Sequence, residues 1–291
     1  MDTKDSNLYV IPQKSGVIKI GDREFSKLSS FINTNYGIKL PDVKRTMLQA
    51  RLQKRLKENN LSSFKDYCDL VFSDKGEQTE IVHMIDMVST NKTDFFRESS
   101  HFDFMKSTIL PAFSQKGKGI LKVWSAACSS GEEVYTIGMV ISEFIRSKPG
   151  FDYATLGSDI SQQMLQRSST AVYSMKSVEM LPMELKKRYL LKKKAAVDPD
   201  VRIVPELRSK VQFQRVNLMS ESYQVPADFD IIFCRNVLIY FEREVQELVI
   251  WKLLKHLKPG GYLFLGHSES IMGMNLPINQ IKPTIYQKRS L

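Results

Sequence analysis

The sequence predicts an α/β protein: a parallel sheet wrapped on both faces by helices, with an all-helical domain before it and a small antiparallel β-subdomain inserted in it. Three observations predict this. From about residue 119 onward, short apolar runs alternate with amphipathic helical stretches, the pattern of strands joined by helical crossovers. Residues 22–88 contain repeated amphipathic segments and few strand-like runs. Between them in character, residues 189–219 carry brief alternating runs broken by prolines and charge, which fits a small meander and argues against central sheet.

Each element has a local reason. "DREFSKLSSFINTNYG" reads as one helix closed by Gly37, a residue that tolerates the left-handed conformation at a helix end. A second helix starts after Pro41, with Asp42 suited to its first turn. "LSSFKDYCDLVFSD" and "EQTEIVHMIDMVST" supply two more, joined by short connections as in a helical bundle. After the Pro/Gly/Lys loop "LPAFSQKGKG" come the strand "ILKVWSAA", the helix "EEVYTIGMVISEFIRS", the strand "YATLGSDI" and the helix "SQQMLQRSSTAVY". "DVRIV" and "KVQFQRV" form the meander, followed by "FDIIFCRNVLIYF" as strand, "EREVQELVIWKLLKHL" as helix and "GYLFLGHSE" as strand. "TIYQKR" reads as an antiparallel edge strand. The expected organisation is an N-terminal extension (1–21), a helical domain (22–89), a linker carrying active-site residues (90–118) and an α/β domain (119–291) with its insert at about 189–214.

Composition limits the functions available. The 291 residues are 42% hydrophobic and 25% charged, a globular balance with ample core. No apolar run reaches the roughly 20 residues that span a bilayer. The start, "MDTKDSNLYVIPQK", has neither a basic nor an apolar signal region, so a cytoplasmic location without membrane insertion is expected. Three dispersed cysteines and four dispersed histidines show no ligand spacing, so neither a disulfide framework nor a metal site is expected. The net charge of +10 suits nucleic acid, anionic lipid or an acidic protein surface, and also a merely solvated basic surface.

Chemistry is sought where the strands end, because open α/β sheets bind ligands there. The first strand ends in "SAACSSGEE", whose small residues let a ligand approach but which lacks the glycines of a pyrophosphate or triphosphate loop. Asp159 ends the second strand, placed either to hold the two hydroxyls of a ribose or to cap the next helix. A glycine-poor turn followed by an acid suits adenosine without phosphates, as in S-adenosylmethionine. The third strand ends in "CRNVLIYF", where Arg235 and Asn236 must be satisfied by ligand or by protein. Upstream, "TNKTDFFRESSHF" sets Asn91, Thr93 and Arg97 around the apolar pair Phe95 and Phe96.

Taken in order, "STNKTDFFRE", "VWSAACSSGEE", "SDIS", "VNLM", "FCRNVLIYF" and "LKPGGYLFLGHSES" resemble the chemotaxis receptor methyltransferases, the CheR-type protein-glutamate O-methyltransferases. The resemblance spans roughly residues 25–290. It implies a Rossmann-like S-adenosylmethionine-dependent methyltransferase sheet and transfer of the methyl group to glutamate carboxylates of chemoreceptors, leaving S-adenosylhomocysteine. It implies that Asn91, Thr93 and Arg97 face the cofactor and the reacting centre, and that Glu133 binds the amino end of the methionine part. Asp159 would hold the ribose, Asn217 and Leu218 would border the adenine, Arg235 and Asn236 would complete the pocket, and Tyr240 would lie near the substrate. Cys128 stands where relatives often have an alanine-like residue. The insert of some relatives is glycine-rich and binds a receptor tether; "KKKAAVDPDVRIVPE" has no glycine, which puts that role in doubt.

The implied chemistry needs alignment more than activation. Glutamate has a reference pKa near 4.3 and is a carboxylate at neutral pH, so no base is required. Arg97 offers a planar fork to hold that carboxylate, where its alternative is a surface pair with Glu98 or Asp94. Phe95 and Phe96 are expected to wall the site against water. Tyr240 is otherwise a core aromatic with its hydroxyl tied off. Lys44, Arg51 and Arg55 recur on one face of the second helix; the resemblance implies that such a face docks acidic receptor helices, the alternative being a solvated charged face. The expected partner is the cytoplasmic helical domain of a chemoreceptor, met by a monomer at membrane receptor arrays. A nucleic-acid methyltransferase and a non-catalytic adaptor are the alternatives; neither an Asn/Asp-Pro-Pro-aromatic run nor a Pro-Cys nucleophile is present for the former.

Overall fold

A computed structural model describes residues 16–192 and 200–290. Part of the glycine-free insert, residues 193–199, lies outside them, as do residues 1–15 of the extension.

The helical domain comprises α1 (Asp22–Tyr36), α2 (Arg45–Glu58), α3 (Phe64–Val71), the short α4 (Asp74–Gln78) and α5 (Glu80–Val88). Apolar residues three and four apart build its core. Leu48, Leu52 and Leu56 of α2 are fully buried against Leu28 and Ile32 of α1 and Met84 and Ile85 of α5. Gly37 ends α1 at φ 70°, and its N–H reaches Asn33 O at 2.8 Å. A Cβ at Gly37 would strike the Phe241 ring, so this glycine also sets how closely the helical domain meets the rest.

A linker follows, with α6 (Ser100–Phe104), a π-helical turn (Met105–Ile109) and α7 (Leu110–Gln115). The α/β domain then runs β1 (Ile120–Ala126), α8 (Glu132–Ser147), β2 (Asp152–Asp159) and α9 (Gln162–Thr170). Next come β3 (Val172–Tyr173), α10 (Met183–Tyr189), β4 (Leu190–Lys192), β5 (Val201–Ile203), α11 (Pro205–Arg208) and β6 (Val211–Arg215). It closes with β7 (Phe229–Cys234), α12 (Arg243–His256), β8 (Leu257–Leu265), β9 (Ile278–Lys282) and β10 (Ile285–Lys288).

The main sheet has the order β6-β2-β1-β7-β8-β10-β9, parallel from β6 to β8. Strands are added outward in opposite directions from β1, toward β2 on one side and β7 on the other, and that switch point is where such sheets open a crevice. The register places Ala126, Cys234 and Leu265 abreast, with Ser158 opposite Ala126. The segments after these four residues therefore share one rim. Trp124 is fully buried on one face and Phe233 and Phe264 stack 4.4 Å apart on the other.

Two expectations are corrected. "KVQFQRV" does not belong to the inserted meander: β6 pairs in parallel with β2, Thr155 against Val211 through Asp159 against Arg215. The small sheet is instead β3-β5-β4, recruiting Val172 and Tyr173 from before the expected insert. "TIYQKR" is antiparallel but not an edge strand, because β10 lies between β8 and β9 and pairs with both. Alternation shows that a segment is a strand; it does not show which sheet completes it.

Candidate functional site

A cleft of about 1060 Å³, counting its solvent-open part, lies over the rim between the helical domain and the sheet. Its floor is Ala127, Cys128, Ser129, Glu133, Asp159 and Arg235. Asn91, Thr93 and Arg97 line it from the linker, and Asn217, Leu218, Asn236 and Tyr240 from the loops after β6 and β7. The structure thus brings together every residue expected to meet the cofactor or the reacting centre.

The turn after β1 is tightly folded. Ala127, Ser129 and Gly131 have φ of 65°, 50° and 94°. A Cβ at Gly131 would lie 2.7 Å from Ser168 Cβ, so only glycine starts α8 here. Asp159 holds this turn: its carboxylate accepts from Ser129 N at 2.8 Å and from Ser161 N at 2.9 Å. Burial pushes the Asp159 carboxyl above its usual range, against the pull of those backbone bonds. The cap of α9 is Ser161, which accepts from Met164 N, so the capping alternative for Asp159 is set aside. Each oxygen of Asp159 retains lone-pair capacity toward the cleft.

At the centre, Arg235 extends a side chain only 2% exposed. It donates to Glu133 Oε2 at 2.9 Å, Glu98 Oε2 at 2.8 Å and the carbonyl of Arg97 at 2.5 Å. Ser125 Oγ donates to the other oxygen of Glu133 at 2.6 Å. Burial opposes the charge on Glu98, but hydrogen bonds and the charge of Arg235, with donors from Asn236 and His267 N, prevail and hold it near about 2. Two partly buried carboxylates around one guanidinium leave this spot with one excess negative charge.

The linker is anchored rather than loose. Phe95 is buried edge-on to Tyr173 at 5.0 Å, and Phe96 packs edge-on to Phe102 at 5.7 Å. Neither lines the cleft; Phe102 does. The expected water-excluding wall is therefore corrected: the Phe95–Phe96 pair bolts the linker into the α/β core, and the positive φ of Phe96 (55°) and Glu98 (57°) turns the polar residues out toward the cleft. Arg97 makes neither expected ion pair. One nitrogen donates to Lys92 O at 2.9 Å, leaving the rest of its fork available. Tyr240 is half-buried on the cleft wall, in the 3-10 turn Leu238–Tyr240, and no described residue ties off its hydroxyl.

Asn217 borders the cleft and also joins the domains, donating to Asn35 O at 2.8 Å. Leu218 is buried, and its carbonyl accepts from Lys252 Nζ and Tyr223 Oη. Sequence reasoning missed Glu269. Its buried carboxylate accepts from the N–H groups of Gly266, Asn236, Val237 and Leu238, shaping the turn that presents Asn236 and Tyr240. It missed the role of Glu98 as well. The neighbouring strand ends "CRN" and "GHSE" were visible, and their parallel pairing was the available signal.

The cationic docking face is corrected. Arg55 is 12% exposed and grips Glu80 through two nitrogens, at 2.8 and 2.7 Å. Arg51 donates to Val88 O and Ser89 O at the end of α5. Lys44 precedes α2 in a 3-10 turn and bonds Lys39 O at 3.2 Å. Heptad-like spacing placed these residues on a common side, but that side faces α5 for the two arginines.

Comparison with known proteins covers both the helical and the α/β parts of the chain. Residues 91–287 match the family model "CheR methyltransferase, SAM binding domain", and residues 23–88 match "CheR methyltransferase, all-alpha domain". The chain is similar to the chemotaxis protein methyltransferase of Borreliella burgdorferi, 36% identical over 276 residues, covering 93% of this chain and 96% of the relative. It is also similar to those of Salmonella typhimurium (33% over 277 residues, 95% and 94%) and Escherichia coli (34% over 269 residues, 92% and 92%).

Proposed function

This chain belongs to the CheR methyltransferase family, and on that premise we propose that it esterifies glutamate side chains on the helical cytoplasmic domains of chemoreceptors. It is a methyltransferase that uses S-adenosylmethionine. The cleft fits that donor: the tight turn leaves no phosphate cradle, buried Asp159 keeps acceptor capacity for hydroxyls, and Ile160, Val216, Leu218 and Phe241 offer apolar walls for a base. When bound, the donor supplies a methyl group on a sulfonium, an electrophile that a carboxylate attacks unaided.

What the protein contributes is placement. Asp159 holds the ribose, Glu133 receives the amino group of the methionine part, and Asn217 with Leu218 borders the adenine. Arg235 locks Glu133 to Glu98 and so sets the acid before any ligand arrives. Asn91, Thr93 and Asn236 complete the walls around the reacting centre. On the open side, Arg97 presents its unused donors to the acceptor carboxylate, and Tyr240 stands beside it. The single observation that carries the reading is a cleft lined by the acids Glu133 and Asp159 and by Arg97, whose guanidinium spends one donor on the Lys92 carbonyl and keeps the rest.

No described helix is long and apolar enough to cross a membrane. The proposed setting is the cytoplasm, where the enzyme works at receptor arrays. The test is a methyl-labelled donor incubated with the full chain and a chemoreceptor cytoplasmic domain. Label released as methanol by mild base supports glutamate esters. Base-stable label on the receptor, label on nucleic acid instead, or no transfer would each refute the proposal.

A further inference from the structure

We propose that Glu98, His101 and His267 form a binding site for a divalent transition-metal ion of the zinc class, at the margin of the cleft. The three ligand atoms lie within 4.8 Å of one another. Spacing along the chain hides them, because two come from the linker and one from the loop after β8.

The tautomer of His101 makes the case. His101 Nε2 lies 2.8 Å from Thr284 Oγ1, whose own proton goes to Pro283 O at 2.7 Å. Thr284 Oγ1 therefore accepts, and Nε2 carries the ring proton. That leaves Nδ1 as a bare lone pair with no hydrogen-bond partner among the described residues, on a residue only 1% exposed. Nδ1 faces Glu98 Oε2 at 3.8 Å, and His267 Nε2 lies 3.9 Å from the same oxygen. Glu98 Oε2 accepts from Arg235 at 2.8 Å on its other side, but toward His101 it meets only the Nδ1 lone pair, and a cation between the two would satisfy both.

Geometry and charge permit one. Metal–ligand bonds of about 2.0–2.1 Å separate tetrahedral ligand atoms by roughly 3.3 Å, so closing the site takes a rotation of His267, 55% exposed, and a narrowing of the 3.8 Å gap between Glu98 and His101. Glu98 and Glu133 outweigh Arg235 by one negative charge, so the added cation meets no net repulsion. Two imidazoles and one carboxylate select zinc-class ions over magnesium or calcium. Thr284 supplies the outer hydrogen bond that orients a ligating histidine. Glu98 is also the carboxylate that holds Arg235, so the ion would sit one bond from the donor site's central ion pair.

The test is equilibrium dialysis of the full chain against Zn²⁺ in chelator-free buffer, for wild type, His267→Ala and Glu98→Gln, with thermal unfolding as a check on folding. The expected result is one equivalent bound by wild type and affinity at least tenfold weaker in His267→Ala, whose exposed ring is dispensable for folding. Absence of stoichiometric uptake, as when water alone fills the gap, overturns the proposal. So does uptake unchanged in His267→Ala, which would place the ion elsewhere, for example at the cysteines.

Discussion

Arg235 and Glu98 form an ion pair of 2.8 Å with side chains 2% and 12% exposed, joining the end of a central strand to the linker over the cleft. Since the same guanidinium also holds Glu133, removing it leaves two carboxylates, each only 12% exposed, without their counter-charge. Breaking one partner of such a buried pair costs about 3–5 kcal/mol. Arg235→Met is therefore expected to lower the melting temperature and to weaken S-adenosylhomocysteine binding at least tenfold by titration calorimetry. Affinity equal to wild type would show that the pair does not shape the donor site.

Among the described residues the Arg97 side chain hydrogen-bonds only to the carbonyl of Lys92, and the Arg97 carbonyl that Arg235 uses is kept in an alanine variant, so loss of the side chain should leave the pocket intact. Arg97→Ala is expected to reduce kcat at least a hundredfold, within reach of one lost charge-assisted clamp, while donor affinity changes less than threefold. Separate binding and single-turnover measurements check both halves. Near-normal turnover would remove Arg97 from acceptor binding.

Glu269 serves four backbone N–H groups, and a glutamine offers a single acceptor oxygen in its place. Each buried donor left unmatched costs about 1–3 kcal/mol. Glu269→Gln should destabilise the fold and displace Tyr240, lowering kcat alongside Tyr240→Phe. If Glu269→Gln lost stability yet kept full kcat, the turn would not be what positions Tyr240.

The Arg55–Glu80 pair gives the helical domain a pH signature. Burial raises the Glu80 carboxyl, but hydrogen bonds from Arg55, Asn59 and Tyr67 and the charge of Arg55 outweigh it, and the net shift is downward. A carboxyl whose folded pKa is depressed stabilises the fold above its unfolded pKa, about 4.3, and that stability is lost as pH falls through the folded value. The stability gap between wild type and Glu80→Gln, from urea melts, should be full at pH 7 and shrink below about pH 4. A gap constant down to pH 3 would contradict it. Charge reversal at Arg51 and Arg55 should likewise unfold the helical domain before it tests any docking.

Much of this was legible in the sequence, and what was not has physical causes. Strand ends could be read from apolar runs that stop at Ala126, Asp159 and Cys234, and those ends do carry the cleft. Sheet membership could not: "KVQFQRV" alternates equally well as meander or as parallel edge, and only its pairing with β2 decides. The inward turn of Arg55 was hidden because its partner, Glu80, lies 25 residues away on another helix. The sequence around Phe95 and Phe96 shows apolar residues among polar ones, but which set faces the cleft depends on the positive φ at Phe96 and Glu98.

The central claim is that the methyl donor lies in the cleft between helical domain and sheet, with its reactive end toward Arg97 and Tyr240. A crystal structure with S-adenosylhomocysteine tests it most directly. The account predicts the ribose on Asp159, the adenine against Leu218 and the sulfur open toward Arg97. A ligand bound elsewhere, or one whose sulfur points away from that guanidinium, would contradict it.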